Sequence, residues 1–185
     1  MQVSNTAKSK GSSLNCLGNS ILSMNPEHIQ SVVITVAVIT VSSSRTREND
    51  TSGKAIIAYL KKTEMPLSHY TIVPDQIGAI RNEIFQALKK ANCIIVNGGT
   101  GLTHDDCTIE AVTPLLEKKI DGFGEMFRYK SSIQIGTASM LSRAVAGIIY
   151  GKAIFCVPGS TPAVTLAMEE LILPEIAHII SHANK

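Results

Sequence analysis

The sequence predicts an α/β fold on a mainly parallel sheet with helices on both faces. Short β-branched runs alternate with segments whose apolar residues recur at helical spacing. Elements in that alternation are joined by right-handed crossovers, which make neighbouring strands parallel and cover them from both sides. The totals agree. A chain of 185 residues, 44% hydrophobic and 17% charged, has the composition of an ordinary globular protein and the length of one domain.

Residues 1–29 are rich in Ser, Asn, Gly and Lys without a steady period. They are predicted to be a mobile tail with one short helical piece near Ile21 to Met24. No apolar core or small-residue cleavage site follows Lys8 and Lys10, so no signal peptide is expected. Residues 30–185 are read as a single domain without internal repeats. The run "VVITVAVITV" (Val32 to Val41) is the first strand, since it falls far short of the roughly 20 residues that span a bilayer. After the polar loop "SSSRTRENDTSG" comes a helix from Lys54 to Lys62, with Ile56, Ile57 and Leu60 on one side. "HYTIVPD" is a second strand closed by Pro74. Ile77, Ile80, Ile84, Phe85 and Leu88 then fall on one face of an amphipathic helix. "CIIV" is the third strand. A short helix carrying Ile109, Val112 and Leu116 is interrupted by Pro114, and another helical piece runs from Gly124 to Ser132. "AVAGIIYGKAIFCVPG" gives two strands around a Tyr150–Gly151–Lys152 turn, and a last helix from Thr161 to Ser181 should kink at Pro174.

Some partners are disfavoured. With a net charge of +2, no Trp and 4% aromatic residues, the chain lacks both the basic stripe and the stacking platforms of a nucleic-acid binder. Cys16, Cys93, Cys107 and Cys156 form no CxxC pair, which fits a reducing, cytoplasmic compartment.

In open α/β sheets, ligands bind beyond the carboxyl ends of the strands. The four loops delivered there are "SSSRTRENDTSGK", Pro74–Asp75, "NGGTGLTHDD" and "PGSTPA". The turn Gly98–Gly99–Thr100–Gly101 is neither a Walker loop nor the dinucleotide fingerprint, and reads either as a tight strand-to-helix turn or as a phosphate cradle. Asp105 and Asp106 tip that balance. Asp106 and Asp75 each have two readings, as helix N-caps or as carboxylates of a phosphate site. A carboxylate beside phosphate is repulsive unless a cation intervenes, and Mg²⁺ is commonly held by one or two carboxylates plus phosphate oxygens. In "PGSTPA", Ser160 or Thr161 suits an N-cap and Pro162 the first helical turn, while Gly159 has room for a second anion. Ser52 and Gly53 open a helix in the same way. Arg45, Arg47 and Lys54 either neutralise phosphate or remain solvated. Cys107 sits near a helix start, which would lower its pKa, but no His partner is set by spacing; His104 and Cys107 lack a second pair for a metal. Residue by residue, this is a cleft for a phosphorylated ligand and a metal, suited to nucleotidyl or phosphoryl transfer.

"IIVNGGTGLTHDD" resembles a family signature: an apolar residue, two positions, Gly-Gly-Ser/Thr-Gly, four positions, then Asp. It is that of the MoaB/MogA-like molybdenum cofactor biosynthesis proteins. "ITVSSSRTRENDTSGK", "VPD", "DGFGEMFRYKS", "ASMLSRAVAG" and "VPGSTPAVTLAMEELILPEIAHI" resemble further stretches in order, over residues 32–180. The short remainder after the Pro-Gly-Ser helix resembles the MoaB branch. The resemblance implies a three-layer α/β/α fold, assembled as a homotrimer or homohexamer, with other proteins of the cofactor pathway as further partners. It implies Mg²⁺-dependent adenylylation of molybdopterin by ATP, with release of pyrophosphate. By motif, Asp75 and Asp106 become catalytic and metal-holding residues. Gly98, Gly99, Thr100, Gly101, Pro158, Gly159 and Ser160 hold phosphate and nucleotide, and Asp50, Ser52, Gly53, Ser142 and Arg143 hold molybdopterin. The chain departs from the pattern at Ser43 and Ser44 where relatives often carry Asp, at Asn97 in place of Thr, and at His104–Asp105 in place of a basic pair. These departures keep open a non-catalytic oligomer that binds molybdopterin. A third, weaker alternative is hydrolysis of another nucleotide or cofactor pyrophosphate.

Overall fold

The first apolar run becomes β1 (Val36–Val41) in the computed structural model, which describes residues 32–185. The rest follows in order: α1 (Thr51–Lys62), β2 (Leu67–Val73), α2 (Ile77–Leu88), β3 (Cys93–Asn97), α3 (Thr108–Val112), β4 (Lys118–Lys119), α4 (Asp121–Ile135), β5 (Val145–Ile149), β6 (Lys152–Val157), α5 (Thr161–Ala167) and α6 (Leu173–Ala183). The six strands form one sheet in the order β2-β1-β3-β6-β5-β4. The first four are mutually parallel, whereas β5 is antiparallel to both β6 and β4. This is the predicted three-layer α/β/α arrangement.

Side-chain alternation builds the two outer layers. In β1, Val36 and Val38 pack with Ile56 and Leu60 of α1 and with Phe127, Val164 and Ile176 of α4, α5 and α6. Ala37, Ile39 and Val41 point to the other face, against Ile80, Ile84 and Leu88 of α2 and Val112 of α3. Burial on both faces explains why β1, β3 and β6 read as continuous apolar runs rather than alternating ones. At the far edge, β4 is only Lys118–Lys119, and so short and charged an edge discourages pairing with another chain.

Several boundaries move for local reasons. The first strand starts at Val36 rather than Val32, because ladder pairing with β2 and β3 begins there. The first helix begins at Thr51, three residues before Lys54, since the Asp50 carboxylate caps Gly53 N–H. Leu116 lies beyond the short helix: a 3₁₀ turn, Thr113–Leu115, carries Pro114. The piece expected over Gly124 to Ser132 extends to the full α4. Its neighbour, a 3₁₀ segment over Gly136–Leu141, and the strand β4 carry no signal that single-sequence periodicity reads. The final helix is divided by a π segment, Met168–Ile172, just before Pro174, whose missing N–H is tolerated in the first turn of α6. The β5–β6 hairpin turns at Tyr150 (φ 51°) and Gly151 (φ 71°), the two positive φ angles of a type I′ turn. The expected tail over residues 1–29, with its helical piece, lies outside the described residues. Among the described residues no helix is long and apolar enough to cross a membrane.

Candidate functional site

Four parallel strands end on the same edge, so the loops after β1, β2, β3 and β6 gather there. They enclose an open cavity of about 410 Å³. Its lining includes Ser42, Ser44 and Arg45 of the first loop, Asp75 of the second, Gly98, Gly99, Thr100, Gly101 and Asp106 of the third, and Pro158 and Gly159 of the last. Leu141 and Ser142 close it from the segment before β5.

The glycine turn is shaped by its neighbours. Gly98 has φ 96° and Gly99 φ 59°, conformations that a side chain resists. A Cβ on Gly98 would also lie 2.3 Å from the Val41 carbonyl oxygen. Buried Thr108 ties the turn down: its hydroxyl donates to Gly98 O (2.7 Å) and its N–H to Gly99 O (2.8 Å). Peptide planarity therefore turns the Gly99 and Thr100 N–H groups away from Thr108. Gly159 packs on the same turn, where a Cβ would meet Gly98 Cα at 2.9 Å.

Asp75 and Asp106 flank this turn, and neither caps a helix. Gln76 is the N-cap of α2 and Cys107 that of α3, each without a side-chain cap bond. Asp75 instead reaches across to the first loop, where its Oδ2 accepts from Ser43 N (2.7 Å) and Ser43 Oγ (2.8 Å). Its Oδ1 lies 3.0 Å from where a Gly99 Cβ would be. Asp106 Oδ2 accepts from Thr103 N (2.9 Å) and Thr103 Oγ1 (2.6 Å), and lies 2.7 Å from where a Gly101 Cβ would be. Partial burial raises the Asp106 pKa, but the donors of Thr103 and Gly101, together with the Arg143 charge, outweigh it and hold the group below the usual carboxylate range. Ser43 and Thr103 thus fix Oδ2 of each carboxylate. Among the described residues no three His, Cys, Asp or Glu side chains converge into a cage for a metal. Two carboxylates beside an open cavity of this size fit an ion such as Mg²⁺, which is commonly held by one or two carboxylates together with phosphate oxygens.

Other expected residues are placed differently. Asp50, Ser52 and Gly53 are fully buried beneath the cavity and line none of it. Asp50 accepts from Thr40 Oγ1 (2.5 Å), Tyr70 Oη (2.7 Å), Gly53 N (2.9 Å) and Ser52 Oγ (3.0 Å). Burial opposes its charge, yet these donors together keep its pKa low; burial and the Asp50 carboxylate push Tyr70 up to about 12. Ser160 caps α5, accepting from Ala163 N, and does not line the cavity. Ser142 lines both this cavity and a neighbouring one of about 600 Å³, whereas Arg143 lines only the neighbour. Arg143 Nε donates to Thr100 O (2.9 Å) and its guanidinium forks onto Glu110, so it braces the glycine turn from behind. The Cys107 pKa is raised, not lowered: partial burial and the surrounding Asp75, Glu110, Asp106 and Asp105 outweigh a helix start of only five residues.

Sequence reasoning left three contributors out of the site. Ser43 stood only as a departure from a pattern, yet it holds Asp75. Glu110 anchors Arg143. Arg45 was an undecided loop charge; its Nη1 donates to Ser52 Oγ (2.5 Å) and its Nη2 to Gly159 O (2.9 Å), across the cavity floor. The other two loop cations lie outside the lining: Arg47 stacks over Tyr70 and Lys54 donates to Glu48 O.

Residues 37–178 match the family described as "Probable molybdopterin binding domain". Molybdenum cofactor biosynthesis protein B of Staphylococcus aureus (strain MRSA252) is 46% identical over 156 residues, covering 82% of this chain and 93% of that protein. A crystal structure of a molybdenum cofactor biosynthesis protein B superposes with TM-score 0.80 at 41% identity, over 83% of this chain and 97% of that one. The tungsten cofactor synthesizing protein MoaB from Pyrococcus furiosus superposes with TM-score 0.76 at 39% identity, over 83% of this chain and 98% of that one.

Proposed function

Given that the chain belongs to the MoaB-like molybdenum cofactor biosynthesis family, we propose that it adenylylates molybdopterin, with ATP as donor and pyrophosphate as product. The observation that carries this reading is the meeting of Asp75, Asp106 and the Gly98–Gly101 turn in one cavity at the carboxyl edge of the sheet. An oxygen of the terminal phosphate of molybdopterin attacks the α-phosphorus of ATP. The bond from that phosphorus to the bridging oxygen breaks, and pyrophosphate leaves with the electron pair. Both reactants are anions, so the task is positioning and charge neutralisation rather than covalent assistance from the protein.

The Gly99 and Thr100 N–H groups hold phosphate oxygens, since Thr108 fixes the opposite side of both peptides. Ser43 and Thr103 orient Asp75 and Asp106 so that one oxygen of each is presented to a cation. Mg²⁺ held by Asp75 and Asp106 would supply the positive charge that offsets the phosphates. Arg143 and Glu110 keep the turn in register, and Ser142, between the two cavities, contacts molybdopterin. Asp50, Ser52 and Gly53 act from below by fixing the first loop. The protein works in the cytoplasm as a homotrimer or homohexamer.

The test is incubation of molybdopterin, ATP and Mg²⁺ with the protein, followed by mass spectrometry of the pterin and a pyrophosphate assay. The expected result is adenylylated molybdopterin with one pyrophosphate per pterin. Exposed Asp105 adds a further negative charge beside the glycine turn and favours the second reading, a molybdopterin-binding protein without turnover. Tight molybdopterin binding with no pyrophosphate under any condition would establish that reading instead.

A further inference from the structure

We propose that Arg45 is the metal-independent anion contact of the cavity: it binds the phosphate that lies away from Asp75 and Asp106. The inference rests on the phosphate reading above and adds to it a residue and a polarity.

The charged side chains of the lining are Arg45, Asp75 and Asp106. They are held by different partners. The carboxylates sit beside Gly99 and Gly101, whereas Arg45 is bonded to the Gly159 carbonyl on the side of the last loop. A bare phosphate is repelled at the first position and attracted at the second. One end of a diphosphate group therefore calls for a cation from solution, while the other meets a cation already built in.

A loop arginine is usually solvated, but this one is aimed. Ser52 Oγ accepts from Nη1 at 2.5 Å. The single Ser52 hydroxyl hydrogen goes to Asn97 Oδ1 (2.7 Å) or Asp50 Oδ1 (3.0 Å), so the oxygen is left to accept. Asn97 Nδ2 in turn donates to Thr40 Oγ1 (2.9 Å), whose hydrogen goes to Asp50 Oδ2 (2.5 Å). Thr40, Asp50, Ser52 and Asn97 are all 0% exposed, which shields their bonds from competing water. Donation thus runs one way, from the guanidinium through Ser52 into the buried network that ends on the Asp50 carboxylate. Three of the five N–H donors go to Ser52, Asp50 and Gly159, which leaves two for a ligand. The Asp50 carboxylate offsets part of the charge, but at 3.5 Å it is the most distant of the three acceptors and touches the guanidinium on one edge.

Calorimetric titration of the full chain with inorganic pyrophosphate, in EDTA and again in Mg²⁺, tests this. Wild type should bind in both and more tightly with Mg²⁺. Arg45→Met should weaken binding in EDTA by about ten- to a hundredfold, the range of a charged hydrogen bond. Asp106→Asn should bind at least as well as wild type in EDTA and lose only the gain from Mg²⁺. Arg45→Lys should recover only part of the loss, because a single ammonium nitrogen lacks the planar fork that reaches Ser52 and the Gly159 carbonyl from two separate nitrogens. Wild-type affinity of Arg45→Met or Arg45→Lys in EDTA would overturn the inference and leave the phosphate reading standing. Failure of wild type to bind pyrophosphate in both conditions would remove that reading, and this inference with it.

Discussion

Asp50 and Asp106 are both aspartates in loops at the carboxyl edge of the sheet, and their surroundings could hardly differ more. Asp50 is wholly buried and is surrounded by Thr40, Tyr70, Gly53, Ser52 and Arg45, so a ligand in the cavity does not reach it. Asp106 is half-exposed, has one oxygen fixed by Thr103 and lines the cavity. A carboxylate saturated by the protein serves the fold; one left half-satisfied beside backbone N–H groups is available to a ligand. Asp75, held by Ser43 on one oxygen, belongs with Asp106.

The contrast breaks if the two groups respond alike to substitution. Asp106→Asn should lower the adenylylation rate by about 10³-fold, at the upper end of what a positioned electrostatic group supplies. Its melting temperature should stay within about 3 °C of wild type, since a half-exposed loop site carries little of the fold. Parallel kinetics and thermal melts read both. Asp50→Ala should do the reverse. It leaves Thr40, Tyr70 and the Gly53 N–H without their acceptor inside the protein and should cost about 3 kcal/mol by urea unfolding, with loss of rate following loss of folded protein.

Gly98→Ala sharpens the comparison from the backbone side. At φ 96°, with the Val41 carbonyl where a Cβ would sit, it should cost about 2 kcal/mol and widen the turn, weakening pyrophosphate binding in the calorimetric titration. Acid stability gives the smallest effect. Asp50 and Asp106 have folded-state pKa values below their unfolded ones. Their contribution is therefore complete above the unfolded value of about 3.9 and is lost as pH falls through the folded values. Melting curves from pH 6 to pH 2.5 should show that acid limb. Asp50→Asn should flatten it, and an unchanged limb would mean that the buried network is not what holds the charge.

The parts legible in the sequence were those with a local signature. Alternating runs give the layers, because burial on two faces demands apolar residues throughout β1, β3 and β6. Gly98 and Gly99 announce their turn, because few other residues accept those angles. Asp75 and Asp106 stood at the right places, but spacing could not tell a cap from a cavity carboxylate; the partners that decide it differ. Ser43 lies 32 residues from Asp75, and Gly159 lies 114 residues from Arg45, so only the assembled sheet brings them together. Asp50 and Ser52 misled for the same reason. Loop residues of polar type look like ligand contacts until Thr40, Tyr70 and Asn97 arrive from three other strands and enclose them.

The central claim is that the rim carboxylates would hold a cation that offsets phosphate charge. Electron paramagnetic resonance of Mn²⁺, titrated into the protein with a nonhydrolysable ATP analogue, tests it most directly. Wild type and Asp50→Asn, compared per folded molecule, should deplete the free-ion signal with similar affinity, and Asp75→Asn/Asp106→Asn should leave it close to the level of the analogue alone. Equal depletion by the double variant and wild type would contradict the account.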